Sequence, residues 1–180
     1  MDFKPISDET QPVIEGIREG ENSDKVVLSE RLSGMREEVR RIRIPDYGVI
    51  EGWPAGDLEL QLTAATAAAK VFDGQLPEIN KDDIDDVQWY SLRRILFHWY
   101  RPIHGDLLNV HWVEVDAGGS PGSQTLTVPP QSGFPGVTYT FATGSNDEDM
   151  GEQIVQFDDD TAYMYSSGLI DWYMDSIIAP

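Results

Sequence analysis

KDDIDDVQWYSLRRILFHWYR, residues 81–101, is the stretch whose reading decides the fold. Trp89, Leu92, Leu96 and Trp99 recur at spacings of 3, 4 and 3, the stripe of one helix face, while Val87, Tyr90, Phe97 and Tyr100 fall elsewhere around the barrel. A helix that is apolar on more than one side is central or packed against partners. Asp82, Asp83, Asp85 and Asp86 suit the positive N-terminal end of such a helix, and Pro102 stops it. The spacing therefore predicts a long helix here, at the core of the fold.

Upstream, VVLSERLSGMREEVRRIRIP carries Leu28, Leu32, Met35, Val39 and Ile42 at spacings of 4, 3, 4 and 3, a second helix stripe that Pro45 ends. Gly34 inside it costs about 1 kcal/mol relative to Ala. Its polar face holds Arg31, Arg36, Arg40, Arg41 and Arg43 against Glu37 and Glu38. Arginines near a helix C-terminus favour its dipole. The sharper alternative is that this basic face docks on an acidic surface, such as that of a neighbouring copy. After the turn-rich PDYGVIEGWPAGD, Leu58, Leu62, Ala65, Ala69 and Phe72 repeat the spacing, with Asp57 as a plausible N-cap and Gly74 as the stop. Residues 1–25 are polar, contain two prolines and keep no sustained period, so they read as an extended arm.

Downstream of Gly105 the period changes to two. LLNVHWVEV, QTLTVPP, GVTYTFAT, EQIVQF and TAYMYS read as short strands separated by Gly-, Pro- and Asp-rich turns. The close, GLIDWYMDSIIAP, returns to helical spacing through Leu169, Tyr173, Met174 and Ile177. The expected fold class is α+β: an extended arm (1–25), then a single domain (26–180). In that domain a three-helix unit (26–104) precedes a strand-rich part (105–180), a small antiparallel sheet with a C-terminal helix.

The charge pattern constrains the setting. The chain has 13 Lys and Arg against 32 Asp and Glu, a net charge of −19, and no Lys or Arg follows Arg101. Residues 1–101 hold 13 cations and 20 acids, a net of −7; residues 102–180 hold 12 acids and no fixed cation, the remaining −12. Such a half repels itself in dilute buffer, unless salt, a bound cation or a basic partner screens it. Arg outnumbers Lys nine to four, and the whole pattern resembles that of halophile proteins, whose carboxylates hold hydrated cations where the Debye length is about 3 Å. An acidic protein from ordinary salt is the plainer alternative. The same charge opposes general DNA binding, because it repels phosphate.

Cysteine is absent, which excludes disulfides and thiol catalysis. MDFKPISDETQP has no apolar core of a signal peptide, and no apolar run reaches the roughly 18 residues of a membrane span. The expectation is a soluble protein made in the cytoplasm, without membrane contact or sequence-specific nucleic-acid binding.

Motifs of catalysis are weak. His98, His104 and His111 fall within 14 residues, near Asp106, Glu114 and Asp116, but none has the HxxxH or HxH spacing that puts two metal ligands on one face. The loop SNDEDMGEQ resembles a calcium loop only in Asp147, Asp149 and Gly151; the register that needs Gly holds Glu152. Asp158, Asp159 and Asp160 read as a solvated turn. There is no GxSxG, GxGxxG or GxxxxGK[ST]. No catalytic residue, cofactor or metal is assigned.

DLELQLTAATAAAKVF followed by LRRILFHWY resembles the helical part of tailed-virus head-tail connector (adaptor) proteins, which form rings between portal and tail. The resemblance covers residues 57–101 and implies a virion component; together with the salt-adapted charge and the lack of catalytic motifs it gives the expectation of a non-enzymatic structural protein of a halophilic virion. Its partners would be other copies of itself and neighbouring virion proteins. Stopper, tail-completion or capsid-associated roles fit nearly as well. Arg31, Arg36, Arg40, Arg41 and Arg43 are then the candidate protein interface, and charge reversal at Arg40 and Arg41 is expected to weaken assembly without unfolding the subunit. The alternative is a cellular haloarchaeal metal-dependent enzyme or small-molecule binding domain built on the three histidines.

Overall fold

The described part of residues 81–101 forms no long helix. The computed structural model describes residues 5–6, 17–19, 26–46, 50, 57–80 and 87–178, with side chains from residue 29 onward. Strand accounts for 60% and helix for 3%, and among the described residues no helix reaches seven residues. The strands are β1 (Pro5–Ile6), β2 (Ile17–Glu19), β3 (Val26–Leu28), β4 (Met35–Arg43), β5 (Leu60–Thr66), β6 (Lys70–Gln75), β7 (Trp89–Trp99), β8 (Leu107–Glu114), β9 (Pro121–Val128), β10 (Val137–Gly144), β11 (Glu148–Gln156), β12 (Met164–Ser166) and β13 (Asp171–Ile178). One helical turn, α1 (Arg101–His104), follows β7. The α+β expectation, its three-helix unit and its C-terminal helix are therefore corrected: the described fold is nearly all β. The acidic run 81–86 lies outside the described residues, as does most of the 1–25 arm and of the turn-rich 45–57 stretch.

The correction has a local cause. β4 pairs with β7 on one side and β13 on the other, and its register shifts twice against β7, between Glu37 and Glu38 and between Val39 and Arg41. Each bulge adds one residue to a strand. Val39 and Ile42 both face the core although they are three apart, because Arg40 and Arg41 sit together between them on the other face. Alternation with bulges thus imitates helical spacing. β7 does the same: Tyr90, Leu92, Leu96 and Trp99 pack on the core, Trp89 lies on the opposite face, and Arg93 holds a positive φ of 53°. Its aromatic and β-branched content suits a pleated surface. In β5 the inward residues Leu60, Leu62 and Ala64 alternate strictly with Gln61 and Thr63. Gly34, read as a flaw in a helix, sits at φ 94° in the turn entering β4, where an added Cβ would lie 3.2 Å from the Tyr100 ring.

Among the described residues three antiparallel sheets stack in layers. The largest has the order β1-β7-β4-β13-β3-β2, with β12 also on β13; the second has the order β11-β8-β5-β6; the third is the β9–β10 hairpin. The first two enclose the main core, in which Val39, Ile42, Tyr90, Trp99, Trp172 and Met174 meet Leu60, Leu62, Leu108, Val110, Trp112 and Val155. Trp112 and Trp172 touch across it at 6.0 Å between ring centroids. The hairpin covers the other face of the second sheet, where Leu126, Val128 and Phe141 pack on Ala65 and Val113. The segments read as strands downstream of Gly105 form β8 to β12. The N-terminal segment supplies β1 to the β7 edge and β2–β3 to the far side of β13.

Candidate interaction surface

The arginines read as one helix face are divided by the sheet. Arg31 precedes β4 and points inward: its side chain and that of Glu37 are fully out of water, joined by Nε to Oε2 at 3.1 Å. Its Nη1 donates to the Asp159 carbonyl at 2.7 Å and the Gln156 carbonyl at 3.3 Å, and Nη2 donates to the Tyr165 hydroxyl at 3.4 Å. Burial lowers the Arg31 pKa, but Tyr165 and Glu37 outweigh it and the net shift is upward. Arg31 thus ties β4 to the turn after β11.

Arg40, Arg41 and Arg43 lie on the face of the large sheet that points away from the core. The Arg41 guanidinium lies 4.7 Å from the Trp89 ring centroid and 4.6 Å from that of Tyr173; Arg40 lies 5.1 Å from Tyr173, and Arg43 lies 5.1 Å from Trp89. Each such contact contributes about 0.5–2 kcal/mol according to its desolvation. Arg43 donates from Nη2 to Asp171 Oδ2 at 2.6 Å, and Arg40 faces Asp175 at 3.5 Å. Arg36, opposite His98 on β7 and Ile177 on β13, is half-buried. The cation-rich and cation-free halves of the chain therefore meet inside one subunit. At the end of β7, Arg101 repeats the pattern with Asp106 at 2.5 Å and Asp158 at 3.0 Å, its guanidinium 4.7 Å from the Phe157 ring centroid.

The second feature was legible in the sequence but not extracted from it. From Ala117 to Asn146, 30 consecutive residues contain no Asp, Glu, Lys, Arg or His, in a chain that is 25% charged. At that average the stretch would hold about seven charges. This run is the β9–β10 hairpin and its flanking turns. Its inner side chains fill the apolar cluster, and its outer face presents Ser123, Thr125, Thr127, Thr138, Thr140 and Ala142, all exposed. Thr127 and Thr138 share a hydroxyl hydrogen bond at 3.0 Å. Asn109, buried on β8, donates from Nδ2 to the Thr127 carbonyl and to Glu152 Oε2, each at 2.9 Å, which pins the hairpin to the second sheet.

The histidines do not converge. His98 Nδ1 lies 3.3 Å from the Gly34 carbonyl, His104 Nδ1 accepts from the Tyr100 amide at 3.0 Å, and His111 Nε2 pairs with Asp149 at 2.8 Å beside the Phe141 ring. Among the described residues no group of three His, Asp or Glu could hold a metal ion. The acidic loops serve their own turns: Asp147 accepts from the Gly144 and Asp116 amides, Asp149 from the Gly151 amide, and Asp160 from the Ala162 amide. Among the described residues no helix is long and apolar enough to cross a membrane.

Two carboxyls are strongly shifted. Burial, opposed by Arg31, raises Glu37 to about 7; burial, together with Asp116, Glu148 and Asp147, raises Glu114 to about 7. A carboxyl whose folded pKa exceeds its unfolded value favours folding fully below the unfolded pKa, near 4.5, and that contribution is lost as pH rises through 7. Stability measured by urea unfolding in 3 M KCl should therefore fall from pH 5 to pH 8. Glu114→Gln should flatten that dependence; an unchanged slope would remove Glu114 as a source of it.

Comparison with protein-family models, with curated proteins and with solved structures finds no match to this chain.

Proposed function

We propose that this chain is a non-enzymatic structural component of a high-salt assembly, a virion protein of a halophilic tailed virus that acts through contacts with its own copies and with neighbouring virion proteins. The carrying observation is the placement of charge. Arg31, Arg40, Arg43 and Arg101 engage acidic side chains of their own subunit, which leaves the remaining carboxylates to dominate the surface, apart from one charge-free hairpin. A carboxylate-rich exterior suits molar salt, where screening removes its self-repulsion, and a neutral layer suits contact between like-charged subunits. The segments that resembled the helical part of head-tail adaptors are β5, β6 and β7, so the adaptor role loses its structural basis here. Stopper, tail-completion and capsid-associated roles need no such helices.

The test is thermal unfolding between 0.1 and 3 M KCl together with sedimentation in 3 M KCl. Stability should rise with salt; a gain of about 2 kcal/mol would raise Tm by roughly 4–8 °C for a domain of this size. The protein should also self-associate or bind virion proteins. A flat salt response would refute the high-salt setting, and a monomer at every concentration with no virion partner would refute the assembly role.

A further inference from the structure

Resting on the assembly reading, we infer that the outer face of the β9–β10 hairpin is where two copies of this chain meet, hairpin against hairpin. Molar salt screens the long-range repulsion between two chains of net charge −19 beyond about 3 Å, but carboxylates pressed together across an interface still repel within that range and also pay their desolvation cost. The charge-free run 117–146 avoids both penalties. Its exposed Thr125, Thr127, Thr138 and Thr140 offer methyl groups to bury and hydroxyls that pair with one another, as Thr127 and Thr138 already do.

The strand edges agree with this. Among the described residues β9 and β10 form a two-stranded sheet, so each eight-residue strand is an edge there. Exposed edges are commonly protected by Lys, by other charges or by proline. Here neither strand carries a charge, and proline occurs only at position 121, where β9 begins. Neutral edges leave the rim of this face free of the charges that would hold a second copy off.

The hairpin is also held rigid before contact, which lowers the ordering cost of binding. Leu126, Val128 and Phe141 anchor it below, Asn109 holds the Thr127 carbonyl, and the Gln131 side chain accepts from the Asp106 amide near its tip. Two strands of eight residues present a face of roughly 27 by 10 Å. That is below the roughly 800 Å² per partner of a standard interface. The contact between isolated subunits should therefore be weak, and a two-fold arrangement would place the same face on both sides.

The chain has no cysteine, so a single introduced cysteine forms a disulfide only between copies. Thr140→Cys at the centre of the face should yield covalent dimer on oxidation at about 100 µM in 3 M KCl, at least tenfold more than Ser166→Cys on β12. The single substitution Thr140→Asp should weaken association of the otherwise native protein at least tenfold by sedimentation, with Tm lowered by no more than about 2–4 °C, the cost of one β-disfavoured residue at an exposed strand position. Equal cross-linking at both positions, or association that survives Thr140→Asp, would overturn the hairpin contact while leaving the assembly role standing. A wild-type protein that is monomeric throughout would overturn this contact and, if no virion protein binds it either, the assembly role as well.

Discussion

Replacing Arg31 with Met is expected to destabilise the protein by about 3–5 kcal/mol at pH 8, the usual cost of removing one partner from a buried ion pair. The guanidinium is fully enclosed and serves Glu37, two carbonyls of the turn after β11 and the Tyr165 hydroxyl. Without it Glu37 has lost its only cationic partner among the described contacts, and those oxygens lose a donor. The loss should be smaller at pH 5, because Glu37 titrates near 7 and a protonated carboxyl tolerates burial better than an ionised one. The double variant Arg31→Met, Glu37→Met should recover part of the stability, since an apolar pair leaves no stranded charge. Urea unfolding in 3 M KCl at the two pH values measures all three. A single variant that loses less than about 1 kcal/mol at pH 8 would show that the network is dispensable.

Charge reversal at Arg40 should destabilise the subunit itself rather than merely disconnect it from its neighbours. Asp175 and Glu38 are register partners on β13 and β4, both are fully buried, and Arg40 faces the first while Arg93 lies 3.8 Å from the second. Arg40→Glu would set a third carboxylate against them, at a cost of at least about 3 kcal/mol, which corresponds to roughly 6–12 °C in Tm. Arg41→Glu loses contacts with Trp89 and Tyr173 and should cost less, about 1–3 kcal/mol. This revises the sequence expectation that reversal at Arg40 and Arg41 spares the fold. The physical reason is that the acids opposite Arg40 and Arg43 belong to β13 of the same chain. A Tm for Arg40→Glu within a degree of the parent would return these arginines to the surface and reopen them as an interface.

The reading of residues 107–166 from period-two alternation worked because β9 and β10 form a hairpin with one face on a core, and β8 sends Leu108, Val110 and Trp112 to the main core in strict alternation. GVTYTFAT shows it: Tyr139 and Phe141 face the second sheet while Thr138 and Thr140 face out. The same method failed upstream. β4 and β7 meet with two register irregularities, at Arg40 in β4 opposite Leu92–Arg93 and at Leu96 in β7, and these convert a period of two into spacings of three and four that a helix would share. β13 closes with Trp172 and Met174 inward between strands drawn from residues 26–43 and 164–166. Nothing within its own 13-residue window distinguishes that from a helix.

The candidate surface divides along the same line. The charge-free run 117–146 is fully written in the sequence, as 30 residues without a charge in a chain that is 25% charged. Its exposure as an outer layer with two open edges came from the fold. The sequence alone determined the composition: an acidic chain without cysteine, with all its cations in the first 101 residues. The tertiary structure decided what that asymmetry does. Arg31, Arg40, Arg43 and Arg101 reach partners between 5 and 135 residues away, and such partners follow from strand order and register, which local spacing does not encode.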